Sequence, residues 1–509
     1  MAADLKKLIL AATVGVGDAD GDLRVLDAVR RPRLLVRELL AGLIVGLALI
    51  PEAISFSIVA GVDPSVGLFS SVVMAIVISI TGGRKAMISA ATGSVALVVA
   101  PVSREHGLDY LVATVMLAGV IQMVLGALGF AKLMRFIPRS VMVGFVNSLA
   151  ILIFVAQLPH LISVPWLVYP LVLLGIAIIV FFPRVTKVVP APLVAVIVVT
   201  AITMIFSSGV PTVGDAGAVP TSLPHLFFPH VPFTFETLTI IGPFALAAAL
   251  VGLIESLMTA KLVDDITETG SNKTKESIGQ GIAQLATGFV GGMGGSGMIG
   301  QTMINVRESG ARTRLSTFSA GAFLLILMLA FHGLVSDIPM AALVAVMVMV
   351  CVGTFDWHSI RPSTLKRMPL GETTVMVVTV IVVVATNNLS IGVVVGVLVA
   401  LLVLTKRVAS FATVSRRVVG DTAHYTVDGE LFFATSNELT HRFDYRGDPP
   451  DVIIDMSKSH VWDASTVAAL DAVTTRYRRH DKTVTIEGMN EASAVLHERL
   501  TGHVGGGEG

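Results

Sequence analysis

Apolar runs fill most of residues 38–411, and several approach the roughly 20 residues a helix needs to cross a bilayer's hydrocarbon core. They fall near 38–60, 66–81, 86–101, 108–130, 140–161, 166–182 and 191–207. After a polar, proline-rich break at 208–236, a second set falls near 238–262, 277–293, 296–306, 315–335, 338–354, 373–387 and 390–411. The pattern predicts a polytopic α-helical membrane protein with fourteen spans in two sets of seven. From about residue 420 the periodicity shortens. His424–Phe433, Val452–Met456 and Thr483–Glu487 read as strands, and Val467, Leu470 and Val473 share one helical face after Trp462-Asp-Ala-Ser465. Short strands and helices in alternation predict a small α/β domain. The expected organisation is an N-terminal segment 1–36, a membrane domain 37–411 (repeats of about 37–207 and 238–411) and a soluble domain 420–505.

Charge agrees with this division. Residues 38–411 carry 35 charged side chains in 374, about 9%, whereas residues 412–509 carry 25 in 98, about 26%. With the N-terminus inside, the inner connections hold Arg30, Arg31, Arg33 and Arg37, then Arg84 and Lys85, then Lys132, Arg135 and Arg139. They continue with Arg184 and Lys187, Lys261, Lys273 and Lys275, Arg307, Arg312 and Arg314, Arg361, Lys366 and Arg367, and Lys406, Arg407, Arg416 and Arg417. The outer connections carry only Arg104. This asymmetry is the positive-inside rule, and it puts the C-terminal domain in the cytoplasm of a cell carrying this protein in its inner or plasma membrane. A net charge of zero gives no support for a nucleic-acid partner. The single cysteine, Cys351, excludes an internal disulfide, and the twelve histidines show no metal-ligand spacing. No phosphate-cradling glycine loop suggests an enzyme. Lys6 and Lys7 precede a short apolar stretch that runs into Asp18, Asp20 and Asp22, which reads as a cytoplasmic leader.

Seven spans per half is odd, so the halves must be inverted relative to each other. Each half has a short third span opened by glycines: Gly82-Gly-Arg-Lys-Ala-Met-Ile-Ser-Ala-Ala-Thr-Gly-Ser94 and Gly291-Gly-Met-Gly-Gly-Ser-Gly-Met-Ile-Gly-Gln-Thr302. Thr92 to Val102 would make roughly 16 Å of helix, about half the core. Matching broken spans point to a transporter binding site. Two half-helices starting at the midplane would aim free N–H groups and about half a positive charge each at one place, which suits an anion. The donors would come from Thr92, Gly93, Ser94, Ser296, Gly297 and the adjoining backbone.

Intramembrane carboxylates are functional candidates by default. Glu52 lies in the first span and Glu255 in the eighth. The offset between Thr92 and Ser296, applied to Glu52, lands within one residue of Glu255, so the two occupy pseudo-symmetric positions. A carboxylate beside an anion repels it unless protonated or paired with a cation, which suits ion coupling. Trp166 and Trp357, near span ends, read as interfacial anchors. Asp264, Asp265 and Glu268 read as a solvated loop, and the valine-rich 371–405 as scaffold.

Leu49-Ile-Pro-Glu-Ala-Ile54, Ala60-Gly-Val-Asp-Pro64, Val66-Gly-Leu-Phe69, Gly300-Gln-Thr-Met-Ile-Asn305 and Gly310-Ala-Arg-Thr313 resemble the sulfate permease (SulP) family, solute carrier family 26. The tail, with Ile454-Asp-Met-Ser457 and Asp463-Ala-Ser-Thr466, looks like that family's STAS domain. The resemblance implies a seven-plus-seven inverted repeat, a core domain moving against a gate domain, and a homodimer with a regulatory partner at the STAS domain. It maps an anion site to Glu52, Phe56, Thr92–Ser94 and Ser296–Met298, and a coupling-cation site to Thr92, Glu255 and Thr259. Sodium-coupled relatives carry Asp where this chain has Glu255, so the longer side chain favours protons over sodium. Many members have Gln at the position of Glu52. The usual Asp-Ser-Ser-Gly reads Asp463-Ala-Ser465-Thr466, where Ser465 either accepts phosphate or simply caps a helix. The implied function is secondary active transport of sulfate or bicarbonate with protons. Sodium-coupled bicarbonate or dicarboxylate transport, an anion channel and a STAS-based signalling protein are the alternatives.

Overall fold

The computed structural model describes residues 23, 25–132, 137–185, 190–206, 209–218, 222–386, 388–409 and 412–501. The leader, Arg135, Lys187 and Asn387 lie outside them. The chain divides into two compact units, residues 1–397 and 398–509.

A helix stands at each segment the hydropathy pattern predicts. In chain order they are α1 Pro32–Ala60, α2 Pro64–Thr81, α3 Gly93–His106, α4 Leu108–Ala127, α5 Arg139–Gln157, α6 Val168–Phe181 and α7 Ala191–Phe206. The second set is α8 Phe235–Thr267, α9 Lys273–Gly288, α10 Ile299–Met303, α11 Arg314–Ala330, α12 Met340–Thr354, α13 Leu370–Thr386 and α14 Leu389–Ala409. Six of the fourteen are both long and apolar enough to cross a membrane on their own: α1, α2, α4, α5, α8 and α14. Local sequence explains several ends. α1 opens on a proline, whose missing N–H costs nothing in a first turn, and stops at Gly61 in the left-handed region (φ 76°). α8 is capped by Thr234, whose hydroxyl accepts the Thr237 N–H at 3.2 Å.

The helices sort into two bundles. α1–α4 pack with α8–α11, and α5–α7 pack with α12 and α13; Gly392 and Gly396 seat the first turns of α14 on α13 and α5. One close approach in the first bundle joins α4 and α9. A Cβ on Gly119 would lie 2.7 Å from the Gly281 carbonyl, and one on Gly281 2.5 Å from the Gly119 carbonyl. Small residues at such crossings let backbones touch.

The two broken spans meet inside the first bundle. Strand β1, Ser89–Ala90, pairs antiparallel with β2, Ser296–Gly297, with Ser89 opposite Gly297 and Ala90 opposite Ser296. The Met298 N–H donates to Ile88 O at 2.9 Å, and the Ile88 N–H donates to Thr302 Oγ1 at 3.0 Å. Unwound backbone at membrane depth survives only when protein satisfies it, and here side chains supply further partners. Gln284 donates to Gly295 O at 2.7 Å and accepts the Gly295 N–H at 3.1 Å. Ser70 accepts the Met293 N–H, Ser71 the Ala91 N–H and Ser256 the Gly297 N–H, at 2.7, 3.2 and 2.9 Å. Helix α3 therefore begins only at Gly93, later than hydropathy suggests, because 86–92 is committed to this crossing. α10 is shorter still, five residues followed by a π-helical turn over Ile304–Glu308.

The second unit is a four-stranded sheet, β3 Thr413–Val419, β4 Thr422–Leu431, β5 Asp451–Val461 and β6 Thr483–Glu487, in spatial order β3-β4-β5-β6. The β3/β4 pair is antiparallel and the other two are parallel. Helices α15 Phe433–Leu439, α16 Ala464–Arg478 and α17 Glu491–Leu500 complete it. Its core gathers Tyr425, Val427, Ile454, Val467, Leu470, Val473 and Tyr477. Strand β3 lies before residue 420 and was invisible to pattern reading, since all but one of its residues are exposed. One carboxylate ties the core together: Asp448 Oδ2 accepts Tyr425 Oη at 2.7 Å and Tyr477 Oη at 2.5 Å, and Oδ1 accepts Arg416 Nε at 2.6 Å. Burial first, and then the facing carboxylate, hold the Tyr477 phenol protonated, far above its usual range.

Two outcomes follow. Gly295→Ala would place a Cβ 1.9 Å from the Ala90 carbonyl oxygen, so it should destabilise the purified protein by at least about 3 kcal/mol. Gly300→Ala, where nothing lies within 4 Å, should melt like the parent or slightly higher; equal melting of both variants would contradict the tight crossing. Asp448→Ala orphans two buried phenols and should cost about 2 kcal/mol. Amide exchange of the whole protein should then show β4 and α16 losing about thirtyfold in protection, with the membrane helices unchanged.

Candidate functional site

The crossing of β1 and β2 sets the site. Thr92, at the N-cap position of α3, shares hydrogen bonds with Ser296 Oγ at 2.9 Å and Ser94 Oγ at 3.2 Å. Glu255, on the middle of α8, receives both serines on one oxygen: Ser296 Oγ donates to Oε2 at 2.5 Å, and Ser94 Oγ donates to the same atom. One carboxylate thus joins the two breaks, and the three hydroxyls around it are buried. Thr259, one turn on, faces elsewhere. Its hydroxyl donates to the carbonyls of Glu255 and Gly297, at 2.8 and 2.9 Å.

Glu52 occupies the corresponding place on α1. Its Oε1 accepts Gln301 Nε2 at 2.9 Å. The two glutamates are arranged alike: each reaches from the long first helix of its repeat to the broken helix of the other, Glu52 to α10 and Glu255 to α3. Phe56, one turn beyond Glu52, packs over the start of α3. A Cβ on Gly93 would lie 2.8 Å from Phe56 Cε1 and 2.9 Å from Ile153 Cδ1. Ile153 belongs to α5, so this end of the site borders the seam between the two bundles. Met298 immediately precedes α10, and its side chain is buried.

The structure therefore brings Glu255, Thr92, Ser94 and Ser296 into one hydrogen-bonded cluster, with Gly297 and Thr259 beside it. Glu52, Phe56 and Gly93 form its neighbouring wall. Both serine hydroxyls donate to Glu255, because a buried carboxylate without donors costs several kcal/mol or more and these are the donors within reach. In the second unit, Asp463 caps α16, accepting the Thr466 N–H at 3.0 Å. Ser465 is exposed in the first turn and is not the cap.

Sequence reasoning missed several polar residues. Gln301 and Gln284 hold Glu52 and the Gly295 backbone, yet a neutral amide in an apolar run carries no charge to announce it. Glu276 of α9 is fully buried and accepts the N–H groups of Gly83 and Arg84, at 2.7 and 2.9 Å, and Gln280 Nε2 at 2.9 Å. It lies just before the apolar run at 277–293, so hydropathy did not place it inside the bundle. Asp264, expected in a solvated loop, lies in the last turns of α8 and pairs with Arg84 and Lys273, at 3.1 and 2.6 Å.

Residues 35–170 and 163–379 match the sulfate permease family, and residues 413–502 match the STAS domain. The protein named "Putative sulfate transporter YbaR" from Bacillus subtilis (strain 168) is 51% identical over 464 residues, covering 91% of this chain and 96% of that protein. The "Bicarbonate transporter BicA" of Picosynechococcus sp. is 29% identical over 417 residues, 75% of this chain and 72% of its own. Among solved structures, the transmembrane domain of a cyanobacterial bicarbonate transporter BicA aligns at a TM-score of 0.62 and 26% identity, covering 73% of this chain and 98% of that one. The murine solute carrier 26 member A9 in its inward-facing state aligns at 0.78 and 17% identity, covering 98% of this chain and 91% of that one, and so shares the fold. With its apolar helices, its paired broken spans and its C-terminal α/β unit, the chain is a multi-pass membrane protein of the sulfate permease family, ending in a STAS domain.

Proposed function

We propose that the protein is a secondary active transporter that carries a small oxyanion, sulfate or bicarbonate, and couples its movement to protons through Glu255. The observation that carries this reading is the single carboxylate joining both broken spans through Ser94 and Ser296. A proton on Glu255 would remove the negative charge beside the anion and change what the serine hydroxyls can donate to. When they are released from the carboxylate, Ser94, Ser296 and the first N–H groups of α3 would be donors for the anion. Loading of the proton and of the anion then favour each other, which is the thermodynamic requirement for symport. The names of the relatives, one a sulfate and one a bicarbonate transporter, support the substrate class.

Movement would be alternating access, with the α1–α4/α8–α11 bundle as core and the α5–α7/α12–α14 bundle as gate. Phe56 and Gly93 against Ile153 mark where the two would part. The positive-inside pattern supports a cytoplasmic STAS domain in a plasma or inner membrane. Exposed Val394, Leu398, Leu401 and Leu402 on α14 suit contact with lipid or a second copy, in keeping with a homodimer. A regulatory protein would dock on the STAS domain. Protons are favoured over sodium by the longer side chain of Glu255, where sodium-coupled relatives carry Asp.

Uptake of labelled sulfate and bicarbonate into proteoliposomes, under separate proton and sodium gradients, tests the proposal. The parent should accumulate one of them when a proton gradient is imposed and should ignore sodium. Glu255→Gln keeps an acceptor for both serines, so it should fold normally and still exchange labelled for unlabelled anion. Its gradient-driven accumulation should fall at least about tenfold, equivalent to about 1.4 kcal/mol. Full accumulation by that variant would remove Glu255 from the coupling role.

A further inference from the structure

Where α14 ends, the second unit has an open groove of about 360 Å³. One wall is the last turns of α14, with Leu404 and Val408, and the other is Glu430, Phe432, Phe433 and Trp462, at the ends of β4 and β5. Elsewhere this unit covers its large rings: Tyr425, Phe443 and Tyr477 are buried, and Tyr445 is partly so. Of the phenylalanine, tyrosine and tryptophan side chains described in it, Phe433 and Trp462 alone are exposed, at 63% and 62%. Both line the groove.

The two rings are held in place. The Trp462 N–H donates to Leu431 O at 2.9 Å, and the Phe433 N–H to Asp463 Oδ2 at 2.6 Å. Trp462 Nε1 donates to Glu430 Oε2, and its ring lies against that of His460, with centroids 4.8 Å apart. Phe433 meets Phe432 edge-on at 5.3 Å. The one polar atom of the tryptophan ring is thus satisfied while most of its apolar surface stays uncovered. Exposed apolar surface of this kind marks a contact site.

The opposite wall indicates what makes the contact. Val408 is the last residue of Ile391–Val408, an apolar stretch long enough to cross a membrane, and 22% of that stretch is buried. A span so little covered by protein borders lipid, and its last turn lies where the headgroups begin. Lys406 and Arg407, in that turn, put positive charge at the same level. The groove therefore opens at the boundary that tryptophan favours, where its ring can be apolar at one end and wet at the other.

We propose that Phe433 and Trp462 dip into the leaflet in which α14 ends, and that a phospholipid fills the groove with its acyl chain against Leu404 and Val408. The membrane then holds the second unit by the ends of β4 and β5 as well as through α14. This inference needs α14 to cross the membrane and is independent of the anion carried and of the coupling ion.

The chain has three tryptophans, so Trp166→Phe/Trp357→Phe leaves Trp462 as the reporter in the full-length protein. The variant is placed in nanodiscs whose phosphatidylcholine carries bromine near the head or near the tail of its acyl chains, and its emission is compared with that in unbrominated discs. Bromine near the head should quench Trp462 at least about twofold, and more than bromine near the tail, as for a ring at headgroup level. Should the double replacement fail to fold, the quenching lost on Trp462→Phe in the otherwise native chain gives the same measure. Emission unchanged by bromine near the head, or quenched more strongly from the tail, overturns the proposal. Added acrylamide then tells what stands there instead. A ring shielded from it is covered by protein, whether a partner, a second copy or the chain's own Phe411, and a ring open to it faces water.

Discussion

Everything at the centre of this protein depends on one requirement: two stretches of unwound backbone, buried among apolar helices, must find partners for every N–H and C=O. They meet much of that need through each other, as a two-residue antiparallel pair. The remainder falls to Ser70, Ser71, Ser256 and Gln284, which come from α2, α8 and α9. The crossing cannot form without those helices, and they would be left with buried, unmet polar groups without the crossing. This reciprocity makes Gly295, whose hydrogen faces the Ala90 carbonyl, an obligatory glycine. It also brings the starts of α3 and α10 together, through Thr92 and Ser296.

That placement produces the chemistry. Hydroxyls at the two starts converge on Glu255, and a carboxylate that would be prohibitive alone becomes tolerable with two donors on one oxygen. Each hydroxyl has one proton, so neither serine can serve the carboxylate and a second acceptor fully at once. Glu52 lacks this linkage. It is matched to an amide, Gln301, which neither gains nor loses a proton. Pseudo-symmetry has thus given two carboxylates equivalent positions and different company.

The STAS unit solves a different problem with similar means. A small sheet with an exposed edge strand needs a fixed core, and Asp448 supplies it by binding Tyr425, Tyr477 and Arg416 together. Here the charge is met from outside by a half-exposed arginine, so it does not have to be neutralised inside.

Much of this was legible in the sequence. Hydropathy located a helix at each predicted segment, six of them long and apolar enough to cross a membrane. The glycine clusters marked both breaks, because helices there would need residues other than glycine. Glu52 and Glu255 stood out because charges in such runs are rare. What the chain order could not reveal was the pairing. Nothing local says that Ser94 and Ser296, some two hundred residues apart, would share one oxygen of Glu255. Gln284, Gln301 and Glu276 went unseen because their roles exist only against distant backbone, and Asp264 read as solvent-facing until the fold brought Arg84 to it. Sequence fixes where polar atoms enter the membrane. Only tertiary structure decides which of them meet, since the bonds from Ser94 and Ser296 to Glu255, and between Thr92 and Ser296, join elements that are remote along the chain.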